Sequence, residues 1–312
     1  MATALISGGT GLIGTALTKS LVSKGYDVIV LSRNKRASTL KNVSYAVWDV
    51  KNGTLDPDAI KGADYIVHLA GANVAEKRWT EQRKKEIIES RVKSGELLVK
   101  SLREIHNKVR AVISSSAIGY YGPDAKNPNP KPFVETDKPY NDFLATTVVK
   151  WERAIEPVKE LGKRLVLLRT GIVLSNEGGA YTEFKKPLKF GAASILGSGK
   201  QIVSWIHIED LVRLYIQSIE DERWEGVFNA VSPHPVSNEE LIKEIARQRG
   251  KLHITAKVPS AVLKLMLGEM SIEVLKSTTV SSAKSEKQGF LFLYPTIRDA
   301  VASLNQVPAT AS

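Results

Sequence analysis

Three glycines, Gly8, Gly11 and Gly14 in Gly8-Gly9-Thr10-Gly11-Leu12-Ile13-Gly14, stand between an apolar run, Ala4-Leu5-Ile6, and a stretch with helical periodicity. Glycines so spaced can cradle a dinucleotide. One permits a tight turn, Gly11 lets backbone approach a pyrophosphate, and Gly14 lets the helix pack on the strand with its N-terminus facing the diphosphate. Gly8, Thr10, Gly11, Leu12, Ile13 and Gly14 are therefore candidate cofactor residues. A second chemical signal ends the next apolar run, Val28-Ile29-Val30-Leu31. A carboxylate there would accept ribose hydroxyls and repel a 2′-phosphate. Ser32 and Arg33 stand there instead, with Lys35 and Arg36 behind them. A hydroxyl beside a guanidinium suits a phosphate, so NADP(H) is the expected cofactor. With no cysteine in the chain, disulfides, thiolate metal ligands and a thiol nucleophile are excluded. No metal site is expected, and redox chemistry would have to come from the bound cofactor.

The elements that position these residues follow from periodicity. Strands are expected at 3–7, 27–31, 43–48 and 65–69, with a helix at 12–24, as in successive βαβ units. An amphipathic helix at 80–105 follows, then strands at 111–115 and 165–168, separated by a Pro/Asn-rich loop at 123–132 and a helix at 142–161. The expected fold class is α/β, a Rossmann-like doubly wound parallel sheet with a smaller C-terminal substrate lobe. The lobe carries a glycine-rich segment at 178–199, a helix at 238–250, an apolar segment at 258–267, a closing apolar run at 290–294 and a helix from Thr296. Between its parts, an apolar return at 202–208 leads into a helix from Asp210. The expected boundaries are 1–172 plus a return segment at 203–232 for the cofactor domain, 173–202 and 233–306 for the lobe, and a frayed tail at 307–312.

The net charge of +11 is spread over scattered Lys and Arg, with no basic run interleaved with aromatics. A solvated basic surface is expected rather than a nucleic-acid face. No apolar run reaches about eighteen residues, and the chain opens on a strand without a basic leader, so a cytoplasmic protein with no membrane partner is expected. The expected partner is a small-molecule substrate, and the expected state is monomer or homodimer.

Further motifs run the length of the chain: His68-Leu69-Ala70-Gly71-Ala72, Ser114-Ser115-Ser116-Ala117-Ile118-Gly119-Tyr120-Tyr121-Gly122, Asp142-Phe143-Leu144-Ala145 with Trp151-Glu152, Arg169-Thr170-Gly171-Ile172-Val173-Leu174 and Ser204-Trp205-Ile206-His207-Ile208-Glu209-Asp210. Leu267-Gly268-Glu269-Met270 and Gly289-Phe290-Leu291-Phe292 close it. On these residues the chain resembles, nearly end to end, an extended short-chain dehydrogenase/reductase of the atypical epimerase-related subfamily, which is NAD-dependent epimerase/dehydratase-like and has a C-terminal module of its own. Ordinary members use a tyrosine for proton transfer and a lysine four residues later on the same helix face. Aligning Glu152 with the glutamate usual on that helix puts Leu144 and Val148 at these positions, so the pair is missing. The chain's one Tyr-x-x-x-Lys, Tyr181 to Lys185, falls in the lobe and is taken as coincidental.

The resemblance implies that Ser116 hydrogen-bonds a substrate oxygen and that Tyr120 and Tyr121 flank the site, which makes these three the catalytic candidates. It adds Leu69, Ala70 and Gly71 to the cofactor set, Asp49 as an adenine contact, and Arg91, which replaces an asparagine and would bind the cofactor or an anionic substrate. Arg169, Gln201 and His207 are candidate substrate residues. His207 could serve as a proton donor, although a hydrogen-bonded structural histidine is the commoner case. The function expected is an NADP(H)-dependent oxidoreductase or epimerase on a small polar substrate, with nucleotide sugars among the candidates. The rival is a non-catalytic dinucleotide sensor or scaffold.

Overall fold

A computed structural model of the chain describes residues 1–250 and 252–306. The tail expected at 307–312 lies outside the described residues. The opening elements are β1 (Thr3–Ser7), α1 (Leu12–Ser23), β2 (Asp27–Ser32), β3 (Val43–Asp49), β4 (Thr54–Leu55), α2 (Pro57–Gly62), β5 (Tyr65–His68), α3 (Glu81–Glu104), β6 (Ala111–Ala117), α4 (Phe143–Ile155) and β7 (Arg164–Thr170). Among the described residues they form, with the strand Gly226–Ala230, an eight-stranded sheet. Its order is Gly226–Ala230, β7, β6, β5, β1, β2, β3, β4. β1 pairs in parallel with both β2 and β5, and the ladders β2 to β3 and β5 to β6 are parallel as well. The chain therefore winds outward in both directions from β1, and a ligand in such a sheet binds where the order reverses, beyond the carboxyl ends of the strands. Gly8 follows directly on the last residue of β1.

Apolar residues fix this arrangement. Leu5, Leu31, Ile66, Val112, Leu165 and Leu167 pack with Leu97, Leu98 and Leu102 of α3 and Ile155 of α4. Two helix starts are set by side-chain caps: Thr80 Oγ1 accepts from the Arg83 amide (3.2 Å), and Asp142 Oδ1 accepts from the Ala145 amide (2.8 Å). The helix expected at 142–161 is divided, with α4 ending at Ile155 and a 3₁₀ helix, Glu156–Leu161, carrying Pro157 at its start. Proline has no amide proton to continue the α ladder. β4 and α2 were not expected; they are two and six residues long, too short for a periodic signal.

The chain divides into two compact units, and the division differs from the expected boundaries. The first holds Met1–Tyr120, Lys138–Arg169 and Val212–Phe228; the second holds Tyr121–Asp137, Thr170–Leu211 and the described residues from Asn229 on. The Pro/Asn-rich loop falls in the second unit because Asp124 accepts from Ser277 Oγ (2.8 Å), Thr279 Oγ1 (2.6 Å) and the Thr279 amide (2.9 Å), and the Phe133 amide donates to the Thr279 carbonyl (2.8 Å). The first part of the return segment, up to Leu211, also falls there, through the pairing of Trp205–His207 with Ile172–Leu174 and of Ile202–Val203 with Val236–Ser237.

The core of the second unit gathers Tyr181, Trp205, Leu241, Ile245, Ala300 and Val301. The helix after the return segment begins at Ile208, two residues before Asp210, and the apolar segment expected at 258–267 is a helix, Ser260–Leu267, entered from the strand Ile254–Val258. The run at 290–294 forms no regular element; the amides of Leu293 and Tyr294 donate to the two oxygens of Asp210, both at 2.9 Å.

Candidate functional site

The glycines of the loop differ in how firmly the protein itself demands them. Gly8 has φ +72°, and a Cβ there would lie 2.8 Å from the Leu69 carbonyl carbon. A Cβ on Gly9 would meet Val30 at 2.7 Å, and one on Gly14 would meet the Gly8 carbonyl oxygen at 2.4 Å. Packing alone demands these three. Gly11 has an ordinary φ of −81°, is exposed, and would bring a Cβ no closer than 3.3 Å to a protein atom, the Gly8 oxygen. Gly11 is also the N-cap of α1, with no side-chain cap and no acidic residue in the first turn. Thr10 is exposed, and Leu12 and Ile13 are half-buried in that turn. The arrangement leaves a bare helix N-terminus behind a residue with no side chain, which fits a diphosphate.

Around this loop the first unit collects most of the other candidates. Ser32 is buried at the end of β2, its Oγ 3.5 Å from the Asn34 amide, while Arg33, Lys35 and Arg36 are exposed; no carboxylate lies between Ser32 and Lys41. Asp49, expected as an adenine contact, is engaged locally. Its oxygens accept from the amides of Lys51 (2.9 Å) and Asn52 (3.1 Å) and from Asn52 Nδ2 (2.7 Å), bonds that close the turn into β4 and hold its carboxyl below the ordinary range. The Leu69 amide donates to the Ser7 carbonyl (3.0 Å) and the Ala70 amide to Ser7 Oγ (3.4 Å), so the loop after β5 forms the wall against Gly8.

Beneath that wall lies a buried network that the sequence did not disclose. His68, Ser7 and Ser94 are fully buried, with His68 Nδ1 2.7 Å from Ser7 Oγ and Nε2 3.3 Å from Ser94 Oγ. Ser94 Oγ donates to the Arg91 carbonyl (3.0 Å), so it can only accept from His68. The imidazole is thus assigned as the Nε2–H tautomer, its Nδ1 accepting from Ser7. Burial, and next the Arg91 charge, push His68 down to about 3 and hold it neutral. In the sequence His68 stood only as the first residue of the motif His68–Ala72, with no role of its own.

Ser116 and Tyr120, two of the catalytic candidates, meet one ion pair. Ser116, 2% exposed, donates to Glu152 Oε1 at 2.6 Å, and Arg169 grips the same carboxylate with Nε (2.8 Å) and Nη2 (2.9 Å). Tyr120 is half-buried, its ring centroid 3.4 Å from the Arg169 guanidinium. The Ser116 hydroxyl proton therefore lies on the Glu152 carboxylate, and Arg169 is the counter-ion of that carboxylate. Leu144 lies against Gly119, Val148 is buried, and neither can carry a proton. Arg91, half-buried on α3, donates through Nη1 to the Ala72 and Ile87 carbonyls, both at 3.0 Å.

Tyr121, Gln201 and His207 fall in the second unit. Tyr121 is buried, donates to Asn229 Oδ1 (2.6 Å) and stacks on Phe133. Gln201 donates to the carbonyls of Leu196 (2.9 Å) and Val274 (3.4 Å), so its amide braces backbone. His207 accepts from the Glu209 amide at 3.2 Å and leaves Nε2 buried without a partner; burial pushes it down to about 4, so the ring is uncharged at neutral pH. Tyr181 and Lys185 share a helix, but the Tyr181 hydroxyl is buried in the core and pushed up to about 12, and Lys185 donates to Asn176. Among the described residues no cluster of three or more His, Asp or Glu could hold a metal, and no helix is long and apolar enough to cross a membrane.

Residues 4–230 match the family described as NAD dependent epimerase/dehydratase, and residues 258–304 match a domain of unknown function, DUF1731. An epimerase family protein of Staphylococcus saprophyticus is 36% identical over 302 residues, which cover 96% of this chain and 98% of the relative. A human epimerase family protein, crystallised with NADPH, has a similar structure with TM-score 0.86 and 28% identity, covering 97% of this chain and 98% of that one. A nucleoside-diphosphate sugar epimerase of Corynebacterium glutamicum gives TM-score 0.76 and 32% identity over 96% of this chain and 57% of that one.

Proposed function

We propose, from the premise that this chain belongs to the NAD dependent epimerase/dehydratase family, that it is an NADP(H)-dependent oxidoreductase or epimerase acting on a small polar substrate of the nucleotide-sugar type. The single observation that carries the cofactor reading is Gly11, an exposed glycine with an ordinary φ and none of the contacts under 3 Å that a Cβ would make at Gly8, Gly9 or Gly14, standing before an uncapped helix. Gly8, Gly9 and Gly14 shape the loop, the first turn of α1 faces the diphosphate, and Leu69, Ala70 and Gly71 form the opposite wall. Ser32 and Arg33 would take a 2′-phosphate, the basis for NADP(H) over NAD(H). The relative crystallised with NADPH and the nucleotide-sugar epimerase support the cofactor and substrate classes.

When bound, the nicotinamide would supply hydride transfer. This chain must add a proton donor. Tyr120 is the candidate: it shares the first unit with the glycine loop and has a titratable hydroxyl, whereas the positions matching the usual pair are Leu144 and Val148. Ser116 would reach a substrate oxygen only by releasing Glu152. That engaged hydroxyl favours a second reading, a dinucleotide sensor without turnover. Fluorescence titration with NADPH and NADH tests the cofactor, and a screen of nucleotide sugars and carbonyl compounds for NADP(H)-linked turnover separates enzyme from sensor. A preference for NADH that survives Arg33→Ala would overturn the cofactor assignment.

A further inference from the structure

Two arginines on α3, eight residues apart, have opposite surroundings. Arg83 donates through Nη1 to Glu86 (2.7 Å) and through Nη2 to Glu76 (3.0 Å), so its charge is matched twice. Arg91 has only neutral partners among the described residues: the carbonyls of Ala72 and Ile87 on Nη1, and the Trp151 ring at 4.9 Å from Cζ. No carboxylate faces it, and burial together with the repulsion of Arg83 pushes it down to about 10. A cation withdrawn from water onto carbonyls is costly unless it meets an anion. The neighbouring imidazole of His68 adds no charge, since its two nitrogens are engaged by Ser7 and Ser94.

The geometry says where an anion would arrive. Nη1 is held by the two carbonyls, which leaves Nε and Nη2 of the fork to a ligand. A Cβ on Gly71 would lie 3.0 Å from Cζ and 3.3 Å from Nε, so glycine keeps that side of the guanidinium uncovered. Gly71 itself is exposed and follows the wall that backs the glycine loop. We propose that Arg91, opened by Gly71, is a receptor for one oxyanion, either a phosphate of the dinucleotide or the acidic group of the substrate. This rests on the dinucleotide reading above for the identity of the ligand, but not for the receptor itself.

The test uses the full chain and three variants: Arg91→Gln removes the charge, Arg91→Lys keeps charge but loses the fork, and Gly71→Ala keeps Arg91 while covering it. NADPH affinity is read by fluorescence, and sulfate is the oxyanion probe, read by thermal shift with and without saturating NADPH. If the oxyanion belongs to the dinucleotide, Arg91→Gln weakens NADPH about tenfold or more, with Gly71→Ala following in the same direction. If it belongs to the substrate, NADPH affinity is kept, while sulfate stabilises NADPH-saturated wild type and not Arg91→Gln. Should Arg91→Gln fail to fold, Gly71→Ala carries both comparisons. Unchanged NADPH affinity in the folded variants, together with no Arg91-dependent stabilisation by sulfate, overturns the proposal. A wild type that binds neither NADPH nor NADH strikes the dinucleotide reading instead, and the sulfate arm on the free protein still decides the receptor.

Discussion

Replacing Glu152 by glutamine removes one charge from the most enclosed ion pair of the first unit with little change of shape. The Arg169 side chain is 4% exposed and that of Glu152 13%, so water cannot take over the lost partner. Two charge-assisted bonds, at 2.8 and 2.9 Å, join the pair, and Ser116 adds a third at 2.6 Å. Each bond of this kind contributes about 1.5–3 kcal/mol, and breaking a buried pair from one side costs about 3–5 kcal/mol. Glutamine still offers one acceptor oxygen, and Tyr120 still covers the guanidinium, so the loss should sit near the lower end, about 3 kcal/mol. With an m-value of about 3 kcal/mol/M, the urea midpoint falls by about 1 M. Tryptophan fluorescence suits the measurement, because four of the five tryptophans, Trp48, Trp79, Trp151 and Trp224, lie in the first unit. In a double-mutant cycle, Glu152→Gln with Arg169→Met should be less damaging than the sum of the singles by about 2 kcal/mol. A loss below about 1 kcal/mol for Glu152→Gln, or strict additivity, would refute the view that Arg169 depends on this carboxylate.

The glycine loop yields a paired expectation: Gly11→Val abolishes NADPH binding with native circular dichroism, whereas Gly14→Ala, with a Cβ 2.4 Å from the Gly8 oxygen, loses about 1–3 kcal/mol of stability. If Gly11→Val binds NADPH normally, the loop is not the phosphate cradle. Arg33→Ala should weaken NADPH by about tenfold or more and leave NADH little changed, checked by parallel titrations. Acid should destabilise the fold early. His68 and His207 titrate at about 3 and 4 when folded but near 6.5 when unfolded, so the unfolded chain binds protons first, and the stability present above pH 6.5 is lost as pH falls. At pH 5 each contributes a loss of about 2 kcal/mol; urea midpoints equal at pH 7.5 and pH 5 would show that these imidazoles are not held neutral.

Much of the first unit was legible because its signals are local. The strand Thr3–Ser7 and the helix from Leu12 are set by a few adjacent apolar and glycine residues, and the cofactor set from Gly8 to Gly14 follows from the same short stretch. What could not be read depends on partners far along the chain. Ser116 looks like a free hydroxyl until Glu152, 36 residues away, comes beside it, and Arg169 looks like a cleft cation until it meets the same carboxylate. Tyr120 and Tyr121 are neighbours in sequence, yet one covers Arg169 and the other is buried with Asn229, 108 residues on. The compact units differ from the expected boundaries for a similar reason, since the loop at 123–132 is bound by Ser277 and Thr279, about which local composition says nothing.

The order of strands also sets a timetable for synthesis. The centre of the sheet, β5, β1, β2 and β3, is available once residue 68 has been made, and β6 closes on it at residue 117. β7 then presents a bare apolar edge, with Leu165, Val166 and Leu168 fully buried in the finished protein, until the strand Gly226–Ala230 arrives to cover it. At about 5–20 residues per second, the ribosome leaves that edge open for several seconds. An unpaired strand edge is a template for pairing with another chain. A nascent chain stalled or truncated between residues 171 and 225 is therefore the form of this protein most exposed to aggregation, and a chaperone's demand would peak in that window.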